Sequence, residues 1–339
     1  MQLQSSFWLP TRSATQPNLT PTPEGKHSLR GLNPEGGLHT KRKVITIVLA
    51  VITFILALGM TLYPVISNHV NEKYASELHT AYEEVIEQAD NSTLLEAKEL
   101  AIAYNESIVP GTAGEAYSQA ALLEASVDYE AQLNIAGNGT MGYVEIPKIN
   151  VNLPIYHGTN NDSLERGVGH LLGSSLPVGG ESTHAILTGH SGMATQKMFT
   201  DLEQLILGDV FYLHVLDETL AYQIDSIKTV LPYDTSLLGV TSGEDYCTLV
   251  TCTPYGVNTH RLLVRGTRIP YEEAEVIVEE IVQEELPKSN WEEMYMLGIW
   301  LGVLAVLVIA LIVVICLIIR NKHRAKRRRR RRGGRYVRT

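Results

Sequence analysis

Thr248-Leu-Val-Thr-Cys-Thr-Pro-Tyr-Gly-Val-Asn-Thr-His-Arg-Leu-Leu-Val-Arg-Gly266 is the stretch on which the fold turns. It opens as an apolar run, breaks around Pro254-Tyr-Gly256, and resumes as Arg261-Leu-Leu-Val264. Two such runs separated by a Pro/Gly break read as neighbouring strands. Alternation puts Thr248, Val250 and Cys252 on one face and Leu249 and Thr251 on the other. Cys252 therefore ends a strand where the chain turns out, a position both firmly held and reachable. Arg261 opens the next strand, where a hairpin can bring its guanidinium beside the thiol. Its competing role is a solvated charge on an edge strand.

Outward from this hairpin the same texture fills residues 142–270. Tyr143–Ile149, Val151–His157, Thr183–Leu187, Val210–Val215, Thr219–Val230, Tyr246–Cys252 and Arg261–Ile269 are short β-branched runs divided by Gly, Pro and Asn. Seven or eight strands in so short a span predict a closed or nearly closed β-barrel, making the fold mainly β with short helices. One helix, Gln196–Leu207, is expected to interrupt the strands, and an acidic amphipathic helix, Glu272–Leu286, is expected after Pro270. Upstream, residues 67–141 read as helical, with one or two helices over Asn68–Leu100, a break at Pro110-Gly-Thr-Ala-Gly114, and helix again over Tyr117–Asn134. The Pro- and Ser-rich residues 1–43 read as a disordered tail.

Two uncharged blocks, residues 44–66 and 296–319, each exceed the roughly 20 residues a helix needs to cross the hydrocarbon core. The first reads as an uncleaved anchor, since its apolar run is long and no small-x-small site follows it cleanly. Residues 1–43 carry six Lys/Arg against two acids, and residues 320–339 carry twelve and no acid. Residues 67–293 hold 35 Asp/Glu against ten Lys/Arg, a net formal charge of −25. By the positive-inside rule both tails are cytoplasmic and the acidic middle is extracellular. The arginines at 327–332 then contact lipid headgroups beside a span, and no nucleic-acid partner is expected.

Cys316 lies in the second apolar block, leaving Cys247 and Cys252 as the thiols between the spans. Five residues apart on one strand, they point to opposite faces and do not readily bridge. A free cysteine is ordinarily a small core hydrophobe. As a nucleophile it needs the thiolate, and at a pKa of about 8.5 only a few per cent is ionised at neutral pH. A nearby histidine or fixed cation is therefore required. His190, in Leu187-Thr-Gly-His190-Ser-Gly192, sits where a strand breaks into a glycine loop. His184 and His260 are rivals that the residues alone do not rank. No His/Cys/Asp cluster has metal-ligand spacing, so neither a metal nor an organic cofactor is expected.

The 248–266 stretch resembles the active-site signature of sortases, whose core is Thr-Leu-x-Thr-Cys followed by an arginine on the next strand. The extended Thr253-Pro-Tyr-Gly-Val-Asn-Thr-His-Arg-Leu262 form is similar to the class C, pilin-polymerising branch. Leu187-Thr-Gly-His190 resembles the family's histidine motif, and Gly142–Gly158 its first strands. The resemblance covers roughly residues 70–320. It implies a cysteine transpeptidase with Cys252 as nucleophile, His190 as general acid and base, and Arg261 steadying the oxyanion or the substrate. Implied partners are pilin or surface-protein substrates with Leu-Pro-x-Thr-Gly-like signals and the lysine amine of an acceptor pilin.

One departure stands out: the Asp-Pro-aromatic lid motif usual in class C sortases is missing. Residues 110–117 occupy its region, with Gly111 and Gly114 as hinges and Tyr117 as a weak plug, so a mobile flap is expected there. Three alternatives remain: a sortase attaching proteins to the cell wall, a non-catalytic two-span protein, or a sorted surface protein. For the last, Leu286-Pro-Lys-Ser-Asn290 before a span and a basic tail mimics a sorting signal.

Overall fold

In the computed structural model, eight strands close into a barrel. They are β1 (Thr140–Ile146), β2 (Val151–His157), β3 (Val168–His170), β4 (Thr183–Thr188), β5 (Val210–Val215), β6 (Glu218–Val230), β7 (Asp245–Thr253) and β8 (His260–Ile269). Their order around the barrel is β1-β2-β3-β4-β7-β8-β6-β5. The β2–β3 and β4–β7 pairs are parallel and the rest antiparallel. Residues 35–108, 129–193, 195–283 and 289–333 are described. The flap at 110–117 and most of the helix expected over Tyr117–Asn134 lie outside them, as does part of the 286–290 motif.

The described residues also form five α-helices: α1 (Glu35–Gln88), α2 (Asn91–Glu106), α3 (Asn161–Arg166), α4 (Tyr271–Gln283) and α5 (Asn290–Gly333). The chain divides into two compact units, Met1–Ile52 and Thr53–Thr339. In the first, the described part is the start of α1. The second holds the barrel. Both α1 and α5 are long and apolar enough to cross a membrane, with windows of mean hydropathy 2.6 and 3.6 that are entirely unburied.

Alternation makes two apolar layers around β4, β7 and β8. Leu187, Cys247, Leu249 and Val264 belong to the main core, with Phe211 and Tyr222 stacked inside it. Ile186, Val250 and Leu263, each one residue away in sequence, form a second cluster with Leu238 on the opposite face. Past its apolar run, α1 packs on the barrel through buried Tyr82 and Ile86. The Tyr82 hydroxyl donates to Met141 O at 3.2 Å and accepts from Leu216 N at 3.0 Å. The buried Asn105 of α2 donates to Leu176 O and accepts from Leu176 N, so its amide pairs like a strand.

Several expectations need correction. Gln196–Leu207 is not a helix; only Thr200–Gln204 forms a 3₁₀ turn. Met198 adopts a φ of 46°, outside the right-handed helical range, and Phe199 turns into the core with its N–H bonded to His190 O. Tertiary packing overrides the helical spacing. The strand expected to end at Ile149 stops at Ile146, because Pro147 has no N–H for the ladder and opens a 3₁₀ turn. Two elements were not anticipated. β3 is three residues long, too short to show alternation, and α3 is a six-residue helix whose cap, Asn160 accepting from Ser163 N, is visible only in retrospect.

Candidate active site

Strands β4, β7 and β8 lie side by side; Cys252 is on β7, Arg261 on β8, and His190 follows the end of β4 by two residues. Thr188 of β4 is opposite Val250 of β7 in parallel register. Past that pair, Gly189 N–H donates to Val250 O at 3.0 Å, and the Thr251 hydroxyl donates to Gly189 O at 2.8 Å. The two strand ends therefore leave the barrel together, so the chain enters His190 beside the end of β7. On the other flank, Cys252 is the direct cross-strand partner of Arg261. Directly opposed residues share a face, with Cβ atoms about 5 Å apart. Cys252, His190 and Arg261 are all half-buried.

Local packing fixes each of them. A Cβ on Gly189 would come within 2.6 Å of the Phe199 ring, so only glycine lets the aromatic close the base of the His190 loop. Gly192 has a φ of +79°, and a Cβ there would lie 3.3 Å from Tyr255, so this loop and the one after Cys252 abut. The Arg261 Nη1 donates to Asn258 O at 3.3 Å and His260 O at 3.0 Å, which ties the guanidinium to the turn beside the thiol.

The rival groups take other places. His184 is fully buried, its Nδ1 2.9 Å from Gly239 O and its Nε2 2.7 Å from the Thr248 hydroxyl. Burial lowers its pKa to about 4, holding it neutral. His260 begins β8 opposite Thr253, with Nδ1 2.9 Å from the Thr259 hydroxyl. Cys247 is fully buried in the core, and burial pushes its thiol well above its ordinary value. Among the described residues no group of three or more His, Cys, Asp or Glu side chains is placed to hold a metal ion.

A groove of about 330 Å³ runs beside the thiol's strand, floored by Ile186, Val250, Leu263, Val230 and Leu238, with Arg261 at its edge. Such a trough suits an aliphatic peptide side chain entering next to a guanidinium. Two supporting residues escaped sequence reasoning. Asn68 accepts from Lys197 N at 2.9 Å, and Asn71 donates to Thr195 O at 3.2 Å, so α1 grips the loop that follows His190. The partners are more than a hundred residues apart, and no local pattern announces them.

The Sortase domain family pattern matches residues 144–269. Sortase D of Bacillus subtilis is 34% identical over 131 residues, 38% of this chain and 63% of that protein. This chain thus spans less than two thirds of that relative. Among solved structures, sortase C of Streptococcus pneumoniae is 45% identical, with a TM-score of 0.51 over 57% of this chain and 97% of that one. Sortase C1 of Streptococcus agalactiae is also 45% identical, with a TM-score of 0.53 over 57% and 98%. The chain belongs to the sortase family of cysteine transpeptidases.

Proposed function

We propose that the protein is a membrane-anchored sortase that polymerises pilins, with Cys252 as nucleophile, His190 as general acid and base, and Arg261 as the oxyanion and substrate cation. The single observation supporting this most strongly is that β7, which carries Cys252 near its end, runs between β8, with Arg261 opposite Cys252, and β4, whose chain continues into His190. The Cys252 thiolate attacks the threonine carbonyl of a Leu-Pro-x-Thr-Gly-like signal, and the resulting oxyanion faces Arg261. The C–N bond then breaks as His190 gives its proton to the leaving amine, leaving a thioester. An acceptor lysine amine attacks that thioester, His190 takes the proton, and the thiolate departs as an isopeptide bond forms.

The pilin reading rests on the likeness to the two streptococcal sortase C structures, the first described in terms of pilin substrate specificity. Two apolar helices and two basic tails support anchoring, with the barrel outside and both termini inside. Deleting the gene tests it. Loss of high-molecular-weight covalent surface polymers is expected; their persistence, together with loss of monomeric wall-attached proteins, would favour cell-wall attachment instead.

A further inference from the structure

Both apolar helices deliver the chain to one segment of the barrel, the connection between β4 and β5. Asn68 and Asn71, bound to Lys197 and Thr195, follow the apolar run of α1 that ends at Ile66. At about 1.5 Å per residue they stand about 3 and 8 Å beyond it. From the other side, α5 packs against the turn at Thr200–Gln204. Its first residue, Asn290, precedes the apolar run that starts at Met296 by about 9 Å. The headgroup layer is about 5–7 Å thick on each side of the bilayer. With both helices across the bilayer, the β4–β5 connection lies within or just above the headgroup layer.

Just after that turn, Leu205 is buried, but Ile206 and Leu207 are 60% and 62% exposed. Single exposed aliphatics are ordinary on a protein surface. Two adjacent branched ones, on the segment that both membrane helices hold, are placed to meet lipid. We propose that Ile206 and Leu207 enter the interfacial layer of the same bilayer that holds α1 and α5. They form a third contact, which turns the barrel pole carrying Cys252 and His190 toward the membrane. The thiol then works at a fixed, low height above the lipid, where a substrate still held by its own membrane segment presents its cleavage site.

The inference rests on both apolar helices crossing the bilayer, and the test separates the two claims. The full chain, with Cys252→Ala and Cys316→Ala, is reconstituted in phosphatidylglycerol-containing nanodiscs. A spin label is attached at Leu207→Cys and, separately, at Ile206→Cys, Leu237→Cys and Val308→Cys. Cys247 is fully buried and takes no label. Collisions with oxygen report lipid, and collisions with a water-soluble nickel chelate report solvent. The label at Val308→Cys, inside the span, should favour oxygen, and the one at Leu237→Cys, on the groove flank, should favour nickel. We expect Leu207→Cys and Ile206→Cys to favour oxygen. If both favour nickel as strongly as Leu237→Cys while Val308→Cys favours oxygen, the inference is overturned and anchoring stands. If Val308→Cys favours nickel, anchoring itself fails and the inference falls with it.

Discussion

Cys252 on β7 and Arg261 on β8 are direct cross-strand partners, nine residues apart in sequence and opposite each other in the ladder. The ladder fixes this pairing of the two backbones, and the guanidinium is held on the neighbouring turn by Asn258 O and His260 O. A planar fork can give two parallel hydrogen bonds to an oxyanion, and an ammonium cannot. Arg261→Lys is therefore expected to lower the rate about tenfold or more, the scale of losing one oxyanion donor. Steady-state cleavage of a sorting-signal peptide checks this. A lysine variant as active as the parent would leave Arg261 a bystander or a distant charge.

The two thiols between the long apolar helices should behave oppositely. Cys247 is sealed in the core with its pKa raised by burial, whereas Cys252 is half-buried at a strand end. Cys252→Ala should abolish activity in a domain that still folds, and Cys247→Ala should leave activity largely intact. Alkylation followed by peptide mapping should find the label on Cys252 and none on Cys247.

Asn68 and Asn71 give a prediction in which one substitution has two outcomes. Asn68 accepts from Lys197 N–H, so Asn68→Asp keeps the bond that holds the His190 loop. Asn71 donates to Thr195 O, so Asn71→Asp loses it and faces oxygen to oxygen. One such bond is worth about 1 kcal/mol, or roughly fivefold. A drop of that order in kcat at unchanged KM is expected for Asn71→Asp and Asn68→Leu, and little change for Asn68→Asp. Equal losses in both aspartate variants would mean that the contacts do not position the loop.

Acid should weaken the barrel through two buried histidines. His170 and His184 are held neutral, each with its pKa lowered from 6.5 to about 4 by burial. Unfolded, each gains its proton near its ordinary pKa; folded, it stays neutral until about pH 4. Between those values the unfolded chain binds more protons, so stability is fully present above about pH 6.5 and falls on acidification toward about pH 4. The effect is roughly 3 kcal/mol per histidine. The urea midpoint of residues 67–293 should fall between about pH 7 and about pH 5, with a smaller fall in His184→Asn. A parent midpoint unchanged over that window would refute the assignment.

The strands were legible because a half-buried barrel strand must alternate, and Val151–His157 and Val210–Val215 match their expected bounds residue for residue. The cysteine hairpin was legible for the same reason. What escaped depends on distance. The Gln196–Leu207 stretch carries helical spacing, but Phe199 serves the core and the stretch serves the His190 loop, so packing overrules it. The choice among His184, His190 and His260 turns on burial and on the β4–β7 register, which spacing along one strand does not reveal. The clamp by Asn68 and Asn71 has no local signature at all.

The central claim is that Cys252 carries the acyl group. The direct measurement is intact-protein and peptide-mapping mass spectrometry of the full chain after brief incubation with a Leu-Pro-x-Thr-Gly peptide and an acid quench. The account predicts an adduct of the Leu-Pro-x-Thr fragment on Cys252, released by hydroxylamine as the hydroxamate and missing in Cys252→Ala. Turnover of the peptide by Cys252→Ala, or an acyl adduct on any other residue, would contradict it.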